Sequence, residues 1–105
     1  MIIYVDIDNT ICKTEGCDYE HAVPYHERIA QVNAWYDAGH KITYWTARGS
    51  GSGINWMQLC LKQLEEWGCK YHALKLGKPV YDVFIEDRSA FFEPLGLPEE
   101  LQNPM

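Results

Sequence analysis

The stretch Ile2-Ile3-Tyr4-Val5-Asp6-Ile7-Asp8-Asn9-Thr10 decides how the rest of the chain is read. Four apolar residues stop abruptly at a run of acids and turn formers, the pattern of a buried strand that ends in a loop. Residues 9–24 follow with no clean period and contain Gly16 and Pro24; a connection this long in a small domain is usually functional or mobile. From Tyr25 onward, Tyr25, Ile29, Val32 and Tyr36 keep helical spacing, and Gly39 makes a natural stop. Lys41-Ile42-Thr43-Tyr44-Trp45 is rich in strand formers and runs into Thr46.

A glycine-rich turn, Arg48-Gly49-Ser50-Gly51-Ser52-Gly53, then leads to a second helix with Met57, Cys60, Leu61, Leu64 and Trp67 on one face and Gly68 as its cap. Tyr71-His72-Ala73-Leu74 reads as a short strand, and Tyr81-Asp82-Val83-Phe84-Ile85 as another, ending in Glu86-Asp87. Strands alternating with helices imply right-handed crossovers and a parallel sheet, and strands this apolar are buried on both sides. The expected fold is therefore α/β, a three-layer α/β/α sandwich with a small parallel sheet. Residues 1–96 form the expected domain, with a flap at 9–24; the last residues read as a short helix and a tail, and 97–105 is the C-terminal tail.

The bulk numbers narrow the function. The 105 residues suffice for one compact domain, and 47% hydrophobic with 23% charged residues is the balance of an ordinary globular protein. Fifteen Asp and Glu against nine Lys and Arg give a formal charge of −6, which argues against a nucleic-acid-coating surface. Clustered carboxylates do suit a divalent cation, which makes them tolerable. No apolar run has the length of a membrane span and the first residues carry no secretory pattern, so a cytoplasmic location is expected. Cys12, Cys17, Cys60 and Cys69 are too few for a disulfide scaffold and would remain thiols there.

Three expected strands end in groups suited to one reaction: Asp6 and Asp8, then Thr46, then Glu86 and Asp87. In a parallel sheet these ends share one edge, where open α/β folds hold ligands. Residues two apart on a strand point to one side, so Asp6 and Asp8 can face a common substrate. Carboxylates that close repel one another unless a cation or a shared proton relieves them. Magnesium suits the site, because it takes hard oxygen ligands and keeps waters that a phosphate displaces.

These residues resemble the haloacid dehalogenase superfamily in its phosphatase branch. Asp6-Ile7-Asp8-Asn9-Thr10 is similar to its first signature, Thr46 after an apolar strand to its second, Lys78 in Gly77-Lys78-Pro79 to its third, and Glu86-Asp87 to its fourth. The four occur in order over roughly residues 2–90. The resemblance implies a Rossmann-like core without a large cap domain and a phosphoric monoester hydrolase acting through an aspartyl-phosphate. Asp6 would be the nucleophile, and Asp8 the general acid and base. Thr46, the backbone around Ala47, and Arg48 would bind the phosphoryl group, and Lys78 would neutralise its charge. Magnesium would lie between Asp6, the carbonyl of Asp8 and Asp87, with Glu86 acting through a metal-bound water. Asn9 stands where many relatives have glycine.

The expected substrate is a small phosphorylated metabolite, with a sugar phosphate first and a nucleotide or polynucleotide end second. A catalytically silent module that binds phosphate or metal is the alternative from outside enzymology. With no large cap, the open active site would be completed by the flap or by a second subunit.

Blander readings stand beside these. Lys70 and Lys75 compete with Lys78, and Arg48 could as well decorate a loop. The Gly-Ser run lacks the spacing of a dinucleotide loop, and places Ser52 near a helix start. Cys12, Cys17, His21 and His26 fit no compact zinc pattern.

Overall fold

In a computed structural model of the chain, residues 1–92, Leu97 and Leu101 are described. Strand β1 (Ile2–Val5) leads into a small antiparallel pair, β2 (Cys12–Lys13) with β3 (Val23–Pro24), bridged by a 3-10 turn at Tyr19–His21. Helix α1 (His26–Asp37), β4 (Lys41–Trp45), α2 (Met57–Glu66) and β5 (Ala73–Lys75) follow. The main sheet is parallel, ordered β1-β4-β5, with Ile3 beside Ile42, Val5 beside Tyr44, and Tyr44 beside Leu74. Among the described residues the molecule is thus a small α/β protein built on a three-stranded parallel sheet and the helices α1 and α2.

Register explains which face the helices cover. Ile3, Val5, Ile42, Tyr44 and Leu74 share one side of the sheet, and Val5, Ile42 and Tyr44 are buried there. They join Ile29, Val32 and Trp35 of α1 and Cys60 and Leu64 of α2 in a single core. Because the strand order never reverses, right-handed crossovers carry both helices to that side. The opposite side presents Ile2, Tyr4 and Lys75, all exposed.

The helices depart from the sequence expectation in two places. Trp35, rather than Tyr36, is buried on α1, because its indole N–H donates to the Leu101 carbonyl at 3.0 Å and its ring stacks on Phe92. On α2, Gln63 is buried and Leu61 is exposed, because the Gln63 amide has polar partners on both sides. The acceptor nearest the start of α2 is Asn55, whose side chain takes the Met57 N–H; Ser52 instead takes the Ile54 N–H.

The strand expected over Tyr81–Ile85 is not formed. The ladder ends at Lys78, whose N–H donates to the Thr46 carbonyl at 3.1 Å, and Pro79 has no N–H to carry it further. Val83 and Ile85 are 72% and 92% exposed, while the rings of Tyr81 and Phe84 meet each other at 5.2 Å. Of the tail expected at 97–105, only Leu97 and Leu101 are among the described residues, and Leu101 is buried against α1.

Gly49 turns the chain out of β4 with φ +83°, and a Cβ there would run into the Ile54 carbonyl. Gly53 shares the left-handed conformation (φ +76°) but has open space around it. Gly49→Ala should therefore cost about 3 kcal/mol, backbone strain plus clash, and Gly53→Ala about 1 kcal/mol from strain alone. Urea unfolding of the two variants checks the ranking; equal losses would mean the turn relaxes around an added methyl.

Candidate active site at the carboxyl edge of the sheet

The loops leaving β1, β4 and β5 meet at one end of the sheet. Asp6 leaves β1 with one carboxylate oxygen accepting the Ile7 N–H at 2.8 Å. Its other oxygen lies 3.1 Å from the Lys78 ammonium, brought from 72 residues away by the loop after β5. Thr46, at the end of the central strand, lies between those loops in the ladder. Its N–H donates to the Lys75 carbonyl and its carbonyl accepts from Lys78. The other two candidate lysines go elsewhere, Lys75 to the Tyr4 hydroxyl and Lys70 to Asp37.

Burial works against the charge on Lys78, but the Tyr81 hydroxyl and the Asp6 carboxylate outweigh it and hold its pKa above the ordinary lysine value. The lysine therefore stays a cation throughout the neutral range.

Asp8 has different company. The Arg48 guanidinium grips it with two bonds, Nε to Oδ2 at 2.9 Å and Nη2 to Oδ1 at 2.8 Å, the fork geometry that only arginine offers. The Thr14 hydroxyl donates to Oδ1 at 2.6 Å, and the Cys12 thiol lies 3.7 Å from the same atom. The Arg48 side chain has no exposed surface, whereas that of Asp8 keeps 21%. Burial alone would weaken the charge on Arg48; the hydrogen bond and charge of Asp8 overcome it and raise its pKa. The two neighbouring acids thus each have their own cation, Lys78 for Asp6 and Arg48 for Asp8.

The loop between Asp8 and Thr14 depends on Asn9. It adopts φ +59°, a conformation that asparagine tolerates better than most residues, and its side chain accepts the Thr14 N–H at 3.1 Å. The asparagine side chain thus adds a tether to the turn its backbone makes. The flap it opens is the β2–β3 pair, packed on the domain through Tyr25 N–H to the Ile11 carbonyl and Arg28 to the Thr10 carbonyl.

Around Thr46, its hydroxyl accepts the Arg48 N–H at 3.1 Å, and the half-buried Ala47 gives its carbonyl to the Ser50 N–H. A cavity of about 410 Å³ opens beside this turn, lined by Arg48, Gly49, Ser50, Ile54, Asn55, Met57 and the Leu76–Gly77 loop. Ser50 closes one side by donating to the Lys78 carbonyl at 2.7 Å.

Glu86 and Asp87 do not join this group. Both are exposed, with Glu86 taking the Arg88 N–H and the Ser89 hydroxyl, contacts that hold its pKa below the usual carboxylate value. Asp87 faces Arg88 at 3.8 Å. Among the described residues no three His, Cys, Asp or Glu side chains converge on one point. In this arrangement the acids expected to hold magnesium are engaged within the chain. Asp6 is taken by Lys78, the Asp8 carboxylate by Arg48 and Thr14, and the remaining acids by their own turn. The Cys12, Cys17, His21 and His26 set is also dispersed, with Cys12 buried and His21 paired to Asp18 at the surface.

Sequence reasoning had no signal for Thr14 and Gln63. An isolated threonine in a loop and a glutamine on a helix look like surface residues until the chain is folded.

No protein-family model and no curated protein matches the chain. Among solved structures, the crystal structure of an MCSG target from Vibrio cholerae superposes with a TM-score of 0.79 at 24% identity, over 97% of this chain and 94% of that one. The likeness establishes a shared fold. Among the described residues no helix is long and apolar enough to cross a membrane.

Removing one partner of the Arg48–Asp8 pair strands the other in a largely dry site, so Arg48→Met and Asp8→Leu should each cost about 3 kcal/mol. The double variant should lose clearly less than the two combined, by more than about 1 kcal/mol. A double-mutant cycle by urea unfolding measures this coupling, and strict additivity would show that the pair contributes nothing as a pair.

Proposed function

We propose that the chain is a phosphatase for small phosphomonoesters, a sugar phosphate being the first class to try, working through an aspartyl-phosphate on Asp6. The observation that carries this reading is the Asp6–Lys78 contact at the carboxyl end of a parallel sheet, with Thr46 between the two loops. A carboxylate that attacks phosphorus needs a fixed direction and a cation that stays charged as the phosphoryl group transfers. Asp6 has its direction from the Ile7 amide and its cation from Lys78.

Attack by an Asp6 oxygen forms the acyl phosphate as the ester P–O bond breaks. Asp8 enters this step protonated and gives its proton to the departing alkoxide; the carboxylate left behind is stabilised by Arg48 and then removes a proton from the water that cleaves the acyl phosphate. Lys78 offsets charge on the transferring group in both steps. Thr46 hydrogen-bonds a phosphoryl oxygen through its hydroxyl, aided by backbone N–H groups near Ala47. The cavity beside Ser50 and Asn55 gives room for the alcohol portion of the substrate.

This reading keeps the resemblance to the haloacid dehalogenase superfamily and its capless core as part of the proposal, with a third layer over the sheet face that now presents Ile2, Tyr4 and Lys75. It also keeps a dependence on magnesium held by Asp6, the Asp8 carbonyl, Asp87 and Glu86. That last part requires residues 86–87 to approach the end of β1. No step above is routed through the ion.

Hydrolysis of p-nitrophenyl phosphate with and without magnesium tests the reading directly. Asp6→Asn should remove turnover while leaving the fold intact, and an acid-quenched reaction of the native chain should carry phosphate on Asp6. Lys78→Met should lower kcat by about a hundredfold. A folded Asp6→Asn protein that retains substantial activity would sink the covalent mechanism, and a native chain inactive on all phosphate esters, with magnesium present, would sink the function.

A further inference from the structure

Arg48 is mostly committed within the chain. Its guanidinium spends Nε and one Nη2–H on Asp8, and Nη1 on the Gln63 amide oxygen at 2.6 Å and more weakly on the Cys60 sulfur at 3.6 Å. Its side chain has no exposed surface, so a phosphate could reach it only if the pair with Asp8 opened.

The third bond leads somewhere informative. Gln63 is buried on α2, and its amide nitrogen donates to the Tyr19 carbonyl in the flap at 2.6 Å. That orientation is fixed by chemistry. Turning the amide over would set N–H against the guanidinium and carbonyl against carbonyl. The Tyr19 ring lies across the guanidinium, 4.7 Å from ring centre to Arg48 Cζ, and meets Trp56 edge-on at 5.1 Å. From the other end of the flap Thr14 donates its hydroxyl to Asp8. The flap therefore holds Asp8 twice, directly through Thr14 and indirectly through Tyr19, Gln63 and Arg48.

We propose that Arg48 is a positioning residue, and that Arg48 and Gln63 form a latch that aims the Asp8 carboxylate only while the flap of residues 9–24 is seated. The proposal rests on the acid–base role for Asp8 in its catalytic consequence, and on the hydrogen-bond geometry alone in its mechanical part. Lifting the flap removes one donor from Asp8, the ring from Arg48 and the acceptor from Gln63. Each is a partner of a buried polar group, so the flap and the ion pair gain by closing together. Proton transfer to a leaving group requires the carboxylate within hydrogen-bond reach and correctly aimed. Acid–base competence thus becomes a property of the closed flap.

Gln63→Glu isolates the latch, because a carboxylate still accepts from Arg48 but cannot donate to Tyr19. In the ligand-free full chain, hydrogen exchange followed by NMR should be at least tenfold faster at the amides of Thr14, Ala22 and Tyr25. The Arg48 Nε–H should lose protection in parallel, and the β4 amides should be unchanged. A flap that loosens while the Arg48 Nε–H keeps its protection, or a flap that does not loosen, would overturn the latch. Gln63→Met serves the same measurement if the glutamate variant does not fold.

The kinetic arm uses Arg48→Lys with phenyl phosphate, whose poor leaving group depends on the acid. A positioning role predicts a kcat lowered tenfold or more with KM within twofold of the native value. A raised KM with kcat preserved would make Arg48 a phosphate ligand and refute the assignment. If the native chain hydrolyses no ester, the phosphatase reading falls, while the exchange measurement still decides the latch.

Discussion

A guanidinium with no exposed surface, held by one carboxylate and one amide, is the constraint around which this end of the molecule is arranged. Charge without water is tolerable only when every donor has a partner and at least one partner is ionised. Meeting that demand for Arg48 fixes Asp8 at the end of β1, Gln63 on α2 and, through Gln63, the Tyr19 turn of the flap. Three segments distant in sequence are thereby assembled by one side chain. An apolar replacement could fill the same volume, but it would not specify where the flap lies.

The same arrangement changes how the acidic pair is understood. Asp6 and Asp8 are two residues apart, and their repulsion calls for positive charge nearby. That charge comes from the chain itself, as Lys78 beside the one and Arg48 beside the other. The two cations differ in kind. Lys78 is a compact charge on a flexible stem at a partly open site, suited to following a group whose charge changes. Arg48 is a rigid fork in a closed one, suited to holding a direction. One acid is thus left partly exposed beside its cation and its neighbour is held in one direction.

The flap owes its place to local chemistry as well as to the latch. Asn9 reverses the chain with a left-handed backbone and tethers Thr14, which sets the threonine hydroxyl on Asp8. Cys12 and Thr14 turn buried polar groups toward the same carboxylate. The sheet contributes rigidity, since Thr46 sits in a hydrogen-bond ladder with both neighbouring segments and its hydroxyl steadies the Arg48 amide.

The sequence alone determined the elements that depend on short-range pattern: the apolar run before Asp6, the helical spacing through Ile29 and Val32, the strand formers of Lys41–Trp45, and the glycines that end each helix. It also brought Asp6, Asp8 and Thr46 together, because strand ends in a parallel sheet share an edge; the same argument added Glu86 and Asp87, which lie apart, while Lys78 came only from the resemblance. Tertiary structure alone decided the partners. Nothing local tells Arg48 to turn inward to Asp8, Gln63 to be buried in place of Leu61, or Thr14 to face a carboxylate. Each depends on satisfying hydrogen bonds between segments far apart in the chain. Tyr81–Ile85 shows the converse. Its residues favour a strand, but a strand requires a neighbour to bond, and past Pro79 the ladder supplies none among the described residues.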